Sequence, residues 1–431
     1  MRLSSHPFFF FIPRSLFCSS SAICFVSLGM SPFDFFFKKK KKKEEEERHA
    51  ILGRRQGEQG WLEDGARLLK EIISSCDGRG CYPIRMFSAK EIQQAIGERF
   101  SDDVIEKVLA GTHEVFEGTH EDRQIIIKVY RIEERERNVI CGIDEREMAF
   151  NEVATVTQIK HANVAKLLGC CFEMEQPILI YEKVPFILSN LLFEANPPSS
   201  SPISWDHRLR IAIEIAYAIT YLHIGTSRPI VHRDINCSNI LLDEHFKPKL
   251  TDFSLSRTIP FGKTHVAAGA LLGAFAYMAP EYACFGIVSE KSDVYSYGVV
   301  LLELLSGQRR FAGDIDNETL NKLLWTNEST EKEERLELIL HNGLSMDVRQ
   351  VEQAMACIEV AVGCTLENPA KRPAMKEVTQ QLMQIERGEL PLSSSLLRVQ
   401  QLATVGSSEG FSQIRTQYER ESGSSEGVSP R

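Results

Sequence analysis

The chain has 431 residues, 43% hydrophobic and 25% charged, with a formal net charge of -9. That length holds one two-lobed domain with flanking segments, and the composition is that of an ordinary globular protein. The acidic balance argues against a general nucleic-acid binder, and the eleven cysteines show no paired metal-ligand spacing, so they read as buried free thiols of a reducing compartment.

Residues 1–29 are apolar or small over Phe8 to Phe11 and Ser19 to Leu28, with Arg2 and Arg14 as the only charges. Two readings stand: a signal peptide or anchor, or a gene-model extension with translation starting at Met30. Serines interrupt the apolar stretch, which falls short of about 18 continuous residues, and that favours the second. Lys38 to Lys43 followed by Glu44 to Glu47 reads as a solvated segment. The alternative is lysines beside Phe35–Phe37 held against an anionic leaflet, which the glutamates weaken.

Leu62, Leu68, Leu69, Ile72 and Ile73 recur at helical spacing and predict a helix between Trp61 and Ser75. Ser88 and Glu91 form an S-x-x-E capping box, with Phe87 and Ile92 as its hydrophobic staple. The main domain is expected from 87 to 387. It follows a charged and helical segment over 30–86 and precedes a Ser- and Gly-rich tail over 388–431 that lacks the hydrophobic periodicity of a folded segment. Within the domain, Gln124–Tyr130 reads as a strand and Met148–Lys160 as a helix. Leu167 to Phe172 reads as a buried strand carrying Cys170 and Cys171. A turn-rich loop, Asn196–Pro202, leads to Asp206, expected to cap a helix over Leu209–Leu222. Another buried helix is expected from Asp293 to Leu305, stopping at Gly307.

The chemistry is concentrated in three motifs. His232-Arg233-Asp234-Ile235-Asn236-Cys237-Ser238-Asn239 reads H-R-D-x-x-x-x-N, Asp252-Phe253-Ser254 follows eighteen residues after Asp234, and Ala279-Pro280-Glu281 comes later. This order is that of a protein-kinase catalytic loop, metal-binding turn and activation-segment end. The expected fold is therefore α+β: a small, mainly β lobe with one C-helix, and a large helical lobe. Asp234 stands where the base accepts the substrate hydroxyl proton, and Asn239 and Asp252 where magnesium is held. Lys128 closes Ile125-Ile126-Ile127-Lys128, placed to hold ATP phosphates, and Glu152 is its expected ion-pair partner. Tyr181 and Lys183 join the candidate nucleotide-binding set. His232 and Phe253 are expected to pack beneath the catalytic loop. Glu281 with Arg372, and Asp293 under the catalytic loop, are expected to hold the scaffold together.

Several parts are missing. A loop that covers phosphates needs glycines so that backbone amides can approach them. Leu109-Ala110-Gly111-Thr112-His113-Glu114 offers one, and Glu114 would bring negative charge toward the phosphates. Asn236 replaces the lysine that neutralises the transferred phosphate, a loss on the order of 100- to 1000-fold in rate. Ser254 replaces a glycine, and Ala274 a threonine whose hydroxyl would bond Asp234. No serine or threonine lies between His265 and Tyr277, leaving Arg233 without a nearby phosphosite, with Thr258 and Thr264 as the earlier alternatives. The small apolar run Val266–Leu272 is either packed on its own domain or a docking surface.

Asn151-Glu152-Val153, Val164 through Cys171, and Ser292 through Val299 resemble plant receptor-like kinases near the wall-associated branch. Gly65 through Glu71, Pro83-Ile84-Arg85 and Thr251 through Ser256 resemble a group of receptor-like cytoplasmic pseudokinases, the ZED-related kinases. The resemblance implies an immune-signalling adaptor that binds an intracellular NLR receptor and recruits other receptor-like cytoplasmic kinases. It implies a cytoplasmic location, with at most peripheral contact at the inner face of the plasma membrane. ATP with magnesium is the implied cofactor, bound weakly or not at all. The alternative expectation is a weakly active Ser/Thr kinase using Asp234, Asn239 and Asp252.

Overall fold

The computed structural model describes residues 65–70, 72, 84–96, 104–107, 113–130, 145–174, 176–193, 203–309, 311–312, 315–316 and 346–389. The features expected on residues 1–29, Lys38–Glu47, Leu109–Thr112, Asn196–Pro202 and the tail past Glu389 lie outside them, as do the ends of the helix expected between Trp61 and Ser75. Residues 65–70 of that helix are helical, and Leu68 is buried in the same apolar cluster as Met148 and Phe150.

The small lobe is a six-stranded sheet in the order β1-β5-β6-β4-β3-β2. Its strands are β1 (Arg85–Met86), β2 (Val104–Lys107), β3 (His113–His120), β4 (Arg123–Tyr130), β5 (Leu167–Cys171) and β6 (Ile178–Glu182). β3 and β4 form a hairpin whose two central residues, Glu121 and Asp122, have φ of 48° and 60°. Positive φ at both is the handedness that matches the twist of the flanking strands. β1 runs parallel to β5 with Arg85 opposite Gly169, and a Cβ on Gly169 would lie 2.5 Å from the Arg85 carbonyl oxygen and 2.3 Å from the Phe87 ring. Only glycine permits that approach.

Helix α1 (Ala89–Ile96) starts as its sequence predicts. The Ser88 amide donates to the Glu91 carboxylate at 2.8 Å and the Glu91 amide to the Ser88 hydroxyl at 3.3 Å. Phe87 and Ile92 are both buried. Helix α2 (Glu145–Val156) begins three residues before its expected start and ends earlier than Lys160. Both of its sides are covered by protein, and Glu152 is fully buried among its apolar neighbours.

The large lobe is built on α3 (Leu188–Phe193), α4 (Trp205–Thr220), α5 (Pro280–Phe285), α6 (Glu290–Ser306), α7 (Val348–Cys364) and α8 (Met375–Arg387). The cap of α4 is Ser204, whose hydroxyl accepts from the His207 amide, so Asp206 sits inside the first turn instead of capping it. Ser204 wins because it is extended at φ -61°, ψ 159°, the conformation a cap requires. α6 is held by a Ser289–Ser292 capping box and stops at Gly307 in the left-handed conformation. It is buried along nearly its whole length, and Gly298 lets it meet the end of α7 at Ala361, Cys364 and Thr365. The described cysteines are free thiols, all buried except Cys284. Among the described residues no helix is long and apolar enough to cross a membrane.

Candidate functional site

The site lies where β4, α2 and the two large-lobe loops converge. Lys128 on β4 points inward, and its ammonium donates to Glu152 Oε2 at 2.7 Å and to Asp252 Oδ1 at 2.9 Å. Three side chains from two strands satisfy the buried Glu152 carboxylate: Lys128, the Tyr181 hydroxyl at 2.6 Å on the other oxygen, and the Tyr130 hydroxyl. A buried carboxylate is tolerable only when so bonded. Burial opposes the charge on Lys128, but Asp252 and Glu152 outweigh it and raise its pKa. Burial likewise opposes the charge on Asp252, yet Lys128 holds its carboxyl far below the usual range. Burial and the adjacent Glu152 carboxylate raise the phenols of Tyr130 and Tyr181 well above their usual range.

The catalytic loop runs between β7 (Ile230–Val231) and β8 (Ile240–Leu242). Asp293, in the first turn of α6, accepts from the backbone amides of His232 at 2.8 Å and Arg233 at 2.9 Å. That clamp holds Arg233 at φ 71°, while Asp252 sits at φ 63°. Left-handed conformations at such residues cost of order 1 kcal/mol or more each and persist where the surroundings fix them. His232 and Phe253 pack against each other with ring centroids 4.6 Å apart and planes tilted by 60°, in line with the packing roles expected of both. Glu281 and Arg372 form a buried two-pronged ion pair, 2.7 Å on each side.

Asp234 is half-buried beside Asp252. Burial and that neighbouring carboxylate raise its pKa, while hydrogen bonds from the Ala274 amide and the Asn239 amide group oppose the rise. Asn239 donates to the Asp234 carboxylate and to its backbone carbonyl, both at 2.8 Å. Ala274 brings no hydroxyl, but its backbone N–H donates to Asp234 Oδ1 at 2.7 Å. The interaction expected to be absent is supplied by the main chain.

Asn236 turns into its own loop. Its carbonyl oxygen accepts from the amides of Ser238 and Asn239, at 2.9 and 3.1 Å, and its amide group donates to the Asp234 carbonyl. It caps the short 3-10 turn Cys237–Asn239 and presents no positive charge to a phosphate. The Ser254 hydroxyl donates to Asp252 Oδ1 at 2.7 Å, so that oxygen accepts from both Ser254 and Lys128.

Two of the candidate nucleotide-binding side chains are committed elsewhere. Tyr181 gives its hydroxyl to Glu152, and the Lys183 ammonium donates to Glu117 Oε2 at 2.7 Å and to Gln124 at 3.4 Å. Lys183 is drawn to the β3–β4 hairpin because Glu117 and Gln124 are its nearest acceptors. Glu114 also departs from expectation. Neighbouring residues on a strand face opposite ways, so Glu114 points away from the face that carries His113. The residue missed in the sequence is His113, which is buried with Nε2 3.8 Å from Asp252 Oδ2. Tyr130 was missed too, although it stands two residues after Lys128 and so shares its face.

Arg233 is engaged without a phosphate through its two terminal nitrogens, while its buried Nε has no hydrogen-bond partner. Its guanidinium donates to the Leu255 carbonyl at 2.9 Å, the Ala270 carbonyl at 3.1 Å and the Tyr282 hydroxyl at 2.5 Å. The Tyr282 hydroxyl donates onward to the Leu272 carbonyl at 2.7 Å. Part of the Val266–Leu272 run packs inward at Ala268, whereas Leu271 is exposed, as are Phe275 and Phe285. The packing reading of that run holds at Ala268, while Leu271 is left on the surface.

Residues 92–382 match the family described as protein tyrosine and serine/threonine kinase. The chain is 36% identical over 375 residues to wall-associated receptor kinase 4 of Arabidopsis thaliana, covering 83% of this chain and 48% of that protein. Against wall-associated receptor kinase-like 1 of the same plant it is 37% identical over 324 residues, 75% of this chain and 42% of the relative. Wall-associated receptor kinase 3 is 40% identical over 256 residues, 57% of this chain and 34% of the relative. The chain thus spans less than half the length of these relatives. With the two-lobed fold, the Lys128–Glu152 pair and the Asp234 loop assembled as its motifs require, the chain belongs to the protein tyrosine and serine/threonine kinase family and carries a kinase domain related to the wall-associated receptor kinases.

Proposed function

We propose that this chain is a pseudokinase, a kinase fold serving as a binding scaffold with phosphoryl transfer impaired. The observation that carries this reading is Asn236, which stands where a lysine would neutralise the transferred phosphate and is turned into its own loop. Catalysis of this reaction rests on positioning and charge neutralisation, so losing one such contact costs on the order of 100- to 1000-fold. The Ser254 hydroxyl on Asp252 adds a competitor for the carboxylate that a metal ion would use.

ATP with magnesium is what the family generally uses. The Asp252 carboxylate and Asn239 side-chain oxygen are hard ligands that suit magnesium, and the Lys128 ammonium suits phosphate. In that reading Lys128 orients the phosphates, Asn239 and Asp252 hold the metal, and Asp234 takes the hydroxyl proton. The ion would supply charge neutralisation at the transferred group.

The likeness to ZED-related kinases supports an adaptor in plant immune signalling that links an intracellular NLR receptor to other receptor-like cytoplasmic kinases, at most peripherally at the plasma membrane. The exposed Leu271, Phe275 and Phe285 give such a scaffold apolar surface. A second reading, a weakly active Ser/Thr kinase, is favoured by the intact Lys128–Glu152 contact at 2.7 Å. Transfer from labelled ATP, with magnesium and with manganese, beside an Asp234→Asn control separates the two. Signal equal to the control supports the scaffold, and signal above it overturns that reading in favour of the enzyme.

A further inference from the structure

We infer that His113 is an intrachain plug over the phosphate end of the cleft, set against Asp252 beside Lys128, and that it keeps nucleotide out. This rests on the reading above that Lys128 and Asp252 form that end. β3 and β4 pair with His113 opposite Tyr130 and Val115 opposite Lys128. Residues opposite one another across a strand pair share a face, as do residues two apart. His113, Val115, Lys128 and Tyr130 therefore all face the cleft. The imidazole is only 4% exposed, its ring centroid lies 5.7 Å from that of Tyr130, and its Nε2 is 3.8 Å from Asp252 Oδ2.

The two oxygens of Asp252 are thus both covered. Lys128 and Ser254 donate to Oδ1, and His113 stands over Oδ2. Lys128 is already engaged by two carboxylates. A triphosphate reaching Lys128 with its metal on Asp252 would have to displace the His113 ring. Glycine at that position would leave the space open, as a strand feeding a phosphate-covering loop requires.

The test is a titration of the full chain with MgATP, followed by thermal shift and by a fluorescent nucleotide analogue. Wild type is compared with His113→Gly and His113→Ser, each checked for folding by circular dichroism. The expected result is MgATP binding at least about tenfold tighter in either variant than in wild type. Adding Lys128→Met to that variant should abolish the gain. Equal affinity in wild type and variants overturns the plug, as does no binding in any of them. Wild-type binding in the micromolar range overturns it without any variant. Failure of the two readings is distinguishable: binding by wild type without transfer sinks the plug and leaves the pseudokinase standing, whereas wild-type transfer sinks both. A variant that gains both binding and transfer supports the plug and removes Asn236 as the decisive defect.

Discussion

The Ala274 backbone amide bonds Asp234 Oδ1 at 2.7 Å, so the activation segment and the catalytic loop remain joined without the hydroxyl that their sequence lacks. Because a main-chain donor makes this contact, an Ala274→Thr substitution adds a second donor to an acceptor already engaged. The expected outcome is unchanged phosphate transfer, within about twofold of wild type, since the tie it would restore is already present. Transfer from labelled ATP checks this, and a gain of about tenfold or more would show that the hydroxyl does something the amide cannot.

Asn236 supports its loop through two accepted hydrogen bonds. Asn236→Lys removes that cap and should cost about 1 kcal/mol of stability, within the range for lost caps of about 0.5–2 kcal/mol. Urea unfolding checks it. A variant as stable as wild type would mean that the loop holds its shape by other means.

The Glu281–Arg372 pair is fully enclosed, and Arg372 also donates to the carbonyls of Leu366, Lys291 and Glu367. Removing one partner strands the other charge in the interior. Arg372→Met should therefore destabilise by about 3–5 kcal/mol, read from the denaturant midpoint. A loss below about 1 kcal/mol would place the pair among surface-like contacts.

At Gly298 an added Cβ would lie 2.7 Å from both Cys364 Cβ and Thr365 Cγ2 and 3.0 Å from the Ala361 carbonyl. The backbone oxygen cannot swing aside as a flexible side chain would. Gly298→Ala should cost about 1–3 kcal/mol by overpacking α6 against α7. A neutral or stabilising outcome in thermal unfolding would contradict this helix crossing.

The cap of α1 carries a pH signature. The amide and hydroxyl of Ser88, then Arg85, hold the Glu91 carboxyl down at about 2 from an ordinary 4.5. A carboxyl lowered in the folded state contributes stability above its unfolded pKa and loses it as pH falls through the folded value. The stability advantage of wild type over Glu91→Gln should be full above about pH 5 and shrink steadily toward pH 2. A difference that does not change between those limits would remove the carboxylate from the cap.

Much of this was legible in the sequence. The His232–Asn239 loop, Asp252, Glu281 with Arg372, and the Ser88–Glu91 box are local patterns whose spacing carries their geometry. The contacts of Tyr130, Tyr181 and His113 depend on strand register, which sets which side chains share a face and is fixed only when β3, β4 and β6 assemble. The Ala274 bond was illegible for a different reason: it belongs to the backbone, which has the same chemistry at every non-proline position. Asn236 as a cap had a signal that went unused, since Asn-Cys-Ser-Asn is a sequence in which an asparagine readily bonds the amides that follow it. Ser204 and Asp206 are both competent caps, and only the backbone conformation separated them.

Arg233 holds Leu255, Ala270 and Tyr282 with groups that the ribosome supplied. Kinases ordered by phosphorylation carry a memory in that place, because the segment records whether another enzyme has visited. Here the anchoring arginine already holds three partners within the chain, so under the scaffold reading this part of the chain would store no such record. Whatever information passes through the exposed Leu271, Phe275 and Phe285 would then have to be carried by what arrives there, with the segment acting as a fixed reader and not as a switch.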